Sequence, residues 1–244
     1  KIILAVGGSA CTDAGAGALQ ALGASLKNRH GDEIALGGAS LQDCVSVDTD
    51  SLDSRIKEVE FILASDVSNP LNGPQGAARI YAPQKGATPA DVTLLQKALE
   101  HFAALAGDRH SSSPGAGSAG GFGFMALTFL GAHCESGINT VLQLVEFERH
   151  LSGADLVITG EGRFDSQSLQ GKAPLGILSI ASRHGVPVVL ICGQSSLNSS
   201  EKITAEFKSI RTLTSIEPDK RRCLRNPQPI IEKISASIAK ELIS

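Results

Sequence analysis

Short apolar runs alternate with amphipathic segments along the chain, and most runs are followed by a polar stretch that contains glycine. Four runs have the length and hydrophobicity of buried strands, and they cover residues 2–6, 61–64, 156–158 and 186–191. A further strand is expected over about residues 209–213. Because strands that alternate with helices form right-handed crossovers, the pattern predicts an α/β fold with a parallel sheet.

The clearest helix is predicted to begin after Thr88, with Pro89 at its first position and Asp91 closing a capping box. Gly107 ends it, and its apolar positions recur at helical spacing: Val92, Leu95, Leu99 and Phe102. The last predicted helix covers residues 227–243 and has four apolar positions on one face: Ile230, Ile234, Ile238 and Leu242. Other helices are expected over residues 14–22, around 125–130, and over 141–145, 147–151 and 174–184.

The organisation of the chain changes near residue 150, after which strands and helices alternate regularly. We therefore expect two domains, residues 1–150 and residues 151–244. The chain starts at Lys1 rather than at a methionine and enters an apolar strand at once, which suggests a piece of a longer polypeptide.

Composition excludes several classes of protein. The net charge is −3 with both signs interspersed, and the chain has no Trp and a single Tyr, so nothing indicates a nucleic-acid partner. No apolar run approaches the roughly 18 residues that span a membrane. The five cysteines are an odd set without the spacing of metal ligands, and they favour a reduced, cytoplasmic protein.

The polar stretch over residues 159–174 is the richest in candidate chemistry. It is predicted to be a loop between the strand at 156–158 and a helix, and such loops at the carboxyl ends of strands hold ligands in α/β sheets. Both charge signs occur with glycines and hydroxyls, which suits a substrate with phosphate and carboxylate groups. The candidate residues are Gly160, Glu161, Arg163, Asp165, Ser166, Ser168 and Lys172.

Four carboxylates are expected within a few residues of the carboxyl ends of predicted strands: Asp13, Asp66, Glu161 and Asp165. Carboxylates there would hold Mg²⁺ or accept a proton from a substrate hydroxyl. A single Asp after a strand is more commonly a turn or helix cap, and this alternative stays open for each.

Neither of two common phosphate-binding motifs occurs in its usual context. Residues 115–120 match the dinucleotide pattern GxGxxG, but Ser-Ser-Ser-Pro precedes them instead of a strand, so a nicotinamide oxidoreductase has weak support and close packing explains the glycines better. A Walker A loop is absent, since Ala173 follows Lys172. Lys172 still precedes a predicted helix, where a phosphate would be favoured, and the alternative is a solvated lysine.

Five segments, taken together, resemble the bacterial glycerate kinase family, the two-domain glycerate 2-kinases. They are VGGSACTDAGAG at 6–17, SDVSNPLNGPQGAARIYAPQKGA at 65–87, PGAGSAGGFG at 114–123, TGEGRFDSQSLQGKAP at 159–174 and LTSI at 213–216. Two other motifs of the family, APDS-F/Y-K-x-S and DGGEGT, do not occur here. The resemblance implies that residues 1–150 are most of an inserted α/β domain. It also implies that residues 151–244 are the C-terminal portion of a Rossmann-like parallel sheet.

The resemblance implies ATP-dependent phosphorylation of D-glycerate with Mg²⁺. Asp66 or Asp165 would bind Mg²⁺ or deprotonate the hydroxyl, and Arg163 would hold the substrate carboxylate. Lys85 or Lys172 would neutralise phosphate. Backbone groups of Gly7, Gly8 and Ser9 would donate hydrogen bonds to the cofactor, and Gly160 and Glu161 complete the cofactor-binding set.

The expected partners are D-glycerate and a nucleotide, in a cytoplasmic monomer or homodimer that binds neither nucleic acid nor membrane. An alternative from another class is a small-ligand-binding protein without catalysis, either a diverged relative or an inactive truncated one.

Overall fold

The computed structural model describes residues 1–166, 168, 173–197 and 202–243. It is a mixed α/β structure with parallel sheets, as the pattern predicts, and it divides into two compact units, Lys1–Gly137 and Ile138–Ser244. This division falls nearer the N-terminus than residue 150, where the pattern changes.

The first unit contains five strands: β1 (Ile2–Ala5), β2 (Ser25–Asn28), β3 (Cys44–Asp48), β4 (Phe61–Ala64) and β5 (His133–Glu135). Its helices are α1 (Ala16–Ala21), α2 (Ala77–Tyr81), α3 (Pro89–Leu105) and α4 (Ser118–Phe129). Helix α5 (Gly137–Leu144) begins at the last residue of this unit. Strands β1, β4 and β5 form a parallel sheet in that order, whereas β2 and β3 form a separate antiparallel pair. All three parallel strands therefore end at the same edge.

Helix α3 follows the prediction from its caps. The Thr88 hydroxyl accepts a hydrogen bond from the Asp91 N–H at 3.3 Å, and the Asp91 carboxylate accepts one from the Thr88 N–H at 2.9 Å. Leu99 and Phe102 are buried, and the ring of Phe102 packs edge-on against Phe124 at 6.4 Å. Val92, nearer the start of the helix, is half-buried.

We expect the substitution Thr88→Ala to lower the free energy of unfolding by about 1 kcal/mol, because it removes the N-cap acceptor. Thr93→Ala is the matched control, since Thr93 lies inside the same helix and its hydroxyl only donates to the Pro89 carbonyl. That change should be neutral or stabilising. Denaturant unfolding of both variants measures the difference, and equal losses would contradict the capping role.

The second unit contains the rest of α5, α6 (Phe147–Leu151), β6 (Val157–Phe164), α7 (Ala173–Arg183), β7 (Val188–Ser195), α8 (Lys202–Glu206), β8 (Ser209–Thr212), α9 (Lys220–Arg225) and α10 (Gln228–Ile243). Strands β6, β7 and β8 form a parallel sheet in that order. One face packs against α7 through Leu178, and the other packs against α10 through Ile230, Ile234 and Ile238. Leu242 was expected on the buried face of α10, but it is 44% exposed.

The prediction of a loop from residue 159 onward is wrong for residues 159–164. These residues continue β6, which pairs with β7 as far as the Phe164–Ser195 pair. The strand continues through these residues because their backbone pairs with β7 and because Phe164 is buried. The Phe164 ring packs edge-on against Phe207, with 5.7 Å between the ring centroids.

Candidate functional site

A cavity of about 280 Å³ lies at the carboxyl edge of the first unit's parallel sheet. We call it the β1–β4 cavity, because much of its wall comes from the segments that follow these two strands; the rest comes from the end of α2, the turn after it and the start of α4. It brings together five of the residues predicted from the sequence: Gly7, Gly8, Ser9, Asp66 and Lys85. Ligands of α/β proteins bind at this edge of a parallel sheet.

Lys85 is the cation of the β1–β4 cavity. Its ammonium group donates to the Ser9 hydroxyl at 3.0 Å and to the Cys11 carbonyl at 2.7 Å. These contacts use two of its three N–H donors, so the head group is oriented while one donor remains for a ligand. Partial burial lowers the pKa of Lys85, although the nearby Cys11 and Asp13 oppose this effect. The site therefore contains a fixed and partly desolvated positive charge.

Asp66 is the carboxylate of the same cavity, and it follows the end of β4. One of its oxygens accepts hydrogen bonds from the Gly137 N–H at 2.8 Å and from the Ser136 hydroxyl at 3.2 Å. Ser136 and Gly137 follow the end of β5, so two adjacent strands position this side chain. Asp66 is exposed, and its negative charge is available at the cavity.

Tyr81 also lines the cavity, and it was not among the site residues predicted from the sequence. Its hydroxyl donates to the Asn69 side-chain oxygen at 2.6 Å, and the Asn69 amide donates to the Gln75 carbonyl at 2.8 Å. Burial raises the pKa of Tyr81. Both Tyr81 and Asn69 lie in the segment at 65–87 that carries the family resemblance, which was the available signal.

The glycine-rich turn at 115–121 packs against the backbone of the cavity loops. The Gly120 carbonyl accepts from the Ala14 N–H at 3.1 Å, and the Gly117 N–H donates to the Asn69 carbonyl at 2.9 Å. A Cβ at Gly120 would overlap the Cys11 carbonyl. No strand immediately precedes the turn, so it lacks the context of a dinucleotide fingerprint, and the close-packing interpretation fits.

Asp13 does not contribute a free carboxylate. It is buried, and its oxygens accept from the Gly15 N–H at 3.1 Å and the Gly17 N–H at 3.2 Å. The turn alternative is therefore the correct one for this residue, since Gly15 is the N-cap of α1.

The remaining predicted site residues belong to the second unit. The Arg163 guanidinium, 60% exposed, pairs with the Asp165 carboxylate at 3.0 Å. Gly160 and Glu161 lie within β6 rather than in a loop. Lys172 lies outside the residues that the structure describes.

The charge of Glu161 affects the Cys192 thiol on the adjacent strand. It pairs in register with Cys192 of β7. Burial, followed by the charge of Glu161, raises the pKa of the Cys192 thiol to about 11. All five cysteines are free, and Cys192 is buried as expected.

Among residues 1–166, 168, 173–197 and 202–243, no group of three or more His, Cys, Asp or Glu side chains could hold a metal ion. No helix in that part of the chain is long and apolar enough to cross a membrane.

Comparison with known proteins identifies the family. The family model described as the glycerate kinase family matches residues 1–243, and the chain belongs to this family. The resemblance drawn from the five sequence segments is thereby confirmed.

Individual relatives agree with this assignment. The chain is 45% identical over 204 residues to the glycerate kinase of Bacillus subtilis strain 168, covering 82% of this chain and 53% of the relative. It is 46% identical over 198 residues to the glycerate 2-kinase of Escherichia coli K12, covering 79% and 52% respectively. A crystal structure of a protein from Salmonella typhimurium LT2, assigned as glycerate kinase 2, matches with a TM-score of 0.80 and 36% identity. The match covers 100% of this chain and 65% of the Salmonella chain. The chain thus spans about half the length of the curated relatives it matches.

Proposed function

We propose that the protein transfers a phosphoryl group from ATP to a hydroxyl of D-glycerate, and that the β1–β4 cavity binds one of the anionic reactants. The observation that carries this proposal is the meeting of Ser9, Asp66 and Lys85 in one cavity at the carboxyl edge of a parallel sheet. Phosphoryl transfer depends mostly on positioning and charge neutralisation, and this site offers both.

Lys85 is placed to bind a carboxylate or a phosphate. Its two contacts to Ser9 and to the Cys11 carbonyl fix its position, and its remaining donor would complete a charge-assisted hydrogen bond to the ligand. Gly7 and Gly8 leave the wall beside it bare, since a Cβ at either position would meet no atom within 4 Å. A small anion therefore has room to approach the backbone.

Asp66 would either accept the proton of the reacting hydroxyl or bind Mg²⁺. Mg²⁺ is commonly held by one or two carboxylates together with substrate phosphates and waters, and the single exposed carboxylate of Asp66 fits that donor set. When bound, Mg²⁺ would neutralise charge on the phosphates. Asp66 itself would orient the acceptor, because Ser136 and Gly137 hold one of its oxygens.

Three residues of the second unit keep proposed roles. Arg163 is the alternative residue for the substrate carboxylate, through the nitrogens that do not face Asp165, and Asp165 is the alternative Mg²⁺ ligand or base. Lys172 would neutralise phosphate.

The direct test is release of ADP that depends on D-glycerate, measured with the whole protein, ATP and Mg²⁺. We expect ADP release above the rate without D-glycerate, with phosphoglycerate formed in equal amount. ADP release that is the same with and without D-glycerate would contradict the proposed reaction.

Small-ligand binding without catalysis is the second candidate, since the chain corresponds to only about half of each curated relative. Calorimetric binding of D-glycerate or nucleotide with no ADP formed over hours would favour it. The cytoplasmic location and the monomeric or homodimeric state stay predictions.

We expect the affinity for D-glycerate to fall as the pH rises through the pKa of Lys85. Because burial lowers this pKa, the fall should begin at a lower pH than for an ordinary exposed lysine. Below that pKa the ammonium is charged and binds the acid; above it the attraction is lost. Calorimetric titration across the alkaline range measures the effect.

Two variants isolate Lys85 in this pH profile. Lys85→Arg keeps its charge at alkaline pH, so the decline should disappear even if the affinity is lower throughout. Cys11→Ser removes the neighbouring titrating thiol, whose pKa is raised by burial, and should leave the decline in place. A decline that persists in Lys85→Arg would show that another group is responsible.

A further inference from the structure

The second unit contains an apolar cleft of about 460 Å³ on the face of the sheet that α10 covers. Its floor is formed by β6 and β7, and its walls come from α9 and the start of α10; we call it the α9–α10 cleft. A smaller pocket of about 110 Å³ shares Gly162, Gly193, Cys223 and Leu224 with it, so the two are continuous. The size is within the roughly 300–1,000 Å³ of small-molecule sites.

The floor of the cleft contains glycines that the packing of the protein does not require. A Cβ at Gly162 would meet no atom within 4 Å, and a Cβ at Gly160 would reach only the Ile191 carbonyl at 3.4 Å. Gly193 differs, since a Cβ there would lie 2.5 Å from the Gly162 carbonyl. Glycine weakens a strand interior and commonly marks a close approach of a ligand to the backbone. Gly160 and Gly162 therefore keep open a space that side chains would otherwise fill.

The walls are apolar and accessible. Ile158 is 50% exposed, Leu224 is 85% exposed and Ile231 is 39% exposed, and all three line the cleft. The lining of the smaller pocket includes Gln194, Thr214 and Lys220, although its open surface is almost entirely apolar. The site is thus apolar along its length, with the cation Lys220 at one end.

We propose that the α9–α10 cleft binds the purine base of the nucleotide, with the phosphate-bearing end of the ligand toward Lys220. This inference rests on the proposed function, whose phosphoryl donor it places in the second unit. A flat base matches a floor of bare backbone between apolar walls, and the Lys220 ammonium would pair with a phosphate.

The charges around the cleft suit an anionic ligand. Helix α9 carries four cations in six residues: Lys220, Arg221, Arg222 and Arg225. Arg222 pairs with Glu217 at 3.5 Å and lies 3.8 Å from Asp219, whereas Lys220 has no ion pair among the described residues.

The test is calorimetric titration of ADP, adenosine and inorganic tripolyphosphate into this chain and its Gly162→Val variant. Valine favours a strand, and a Cβ at this position meets no protein atom within 4 Å, so the melting temperature should stay the same or rise. We expect ADP and adenosine to bind the parent chain and the Gly162→Val variant to bind both at least tenfold more weakly. Tripolyphosphate should show a much smaller change between the two proteins.

A second pair of variants separates the cleft from general effects of surface polarity. Leu224→Ser changes an exposed wall residue and should weaken adenosine binding severalfold, whereas Leu144→Ser changes a residue 63% exposed on α5 of the same unit, away from the cleft, and should not. Equal ADP affinity in the parent, Gly162→Val and Leu224→Ser proteins would overturn the proposal. So would the absence of ADP binding at millimolar concentration, or a dimer that Leu224→Ser abolishes.

The outcome can be separated from that of the proposed function. Phosphoryl transfer with unaltered ADP affinity in Gly162→Val would retain the kinase and reject this base site. ADP binding that Gly162→Val weakens, with no transfer to D-glycerate, would retain the base site and reject the kinase.

Discussion

We expect Asp66→Asn to lower kcat for phosphoryl transfer by about 10²- to 10⁴-fold, the range for loss of a general base. Asparagine retains a side-chain oxygen that can accept from Gly137 and Ser136, so the loop between β4 and α2 should keep its position. The loss would then come from the missing negative charge, because a neutral amide neither deprotonates a hydroxyl nor binds Mg²⁺ as a carboxylate does. Steady-state kinetics of the whole protein measure it.

Asp50→Asn is the control for this experiment. Asp50 is also an exposed aspartate of the first unit, but it does not line the β1–β4 cavity. Its substitution should leave kcat unchanged. A kcat for Asp66→Asn within tenfold of the parent would remove Asp66 from the chemistry.

We expect Gly120→Ala to destabilise the first unit by about 2–5 kcal/mol. Gly120 has a φ of +69°, which costs an L-residue about 1–2 kcal/mol, and its Cβ would overlap the Cys11 carbonyl. Relieving that overlap requires a backbone shift, which typically adds about 1–3 kcal/mol. Denaturant unfolding followed by a probe in the first unit measures the loss.

Gly31→Ala separates the two contributions. Gly31 also has a positive φ, +86°, but a Cβ there would meet no atom within 4 Å. Its substitution should cost only the conformational strain. If both variants lost the same stability, the close approach of the turn at 115–121 to the cavity loop would contribute nothing.

Elements with strong local signals could be predicted from the sequence. Strands β1 and β4 are uninterrupted apolar runs, and α3 has a capping box and a glycine stop. Strands β2 and β5 carry polar residues such as Lys27 and His133 and could not be recognised, because only their pairing partners make them strands. The extension of β6 was missed for the same reason. Its glycines and charged residues are typical of a loop, but backbone pairing with β7 makes the segment a strand.

The candidate site was predicted in part. Ser9 and Asp66 could be identified because they follow strands, and parallel strands bring such segments to one edge. Lys85 was predicted as a site residue only through the family resemblance. Tyr81 lies on α2, and no local pattern shows that this helix borders the cavity. Ser136 was missed because β5, which positions it, was not predicted.

We propose that the fixed positive charge of Lys85 in the β1–β4 cavity binds a small organic acid. Titrating D-glycerate into this chain and its Lys85→Met variant by calorimetry tests this binding, with melting temperatures as the check on folding. We expect binding by the parent chain and at least a tenfold weaker affinity in Lys85→Met. Equal affinity of the two proteins, or no binding by the folded parent at millimolar acid, would contradict it.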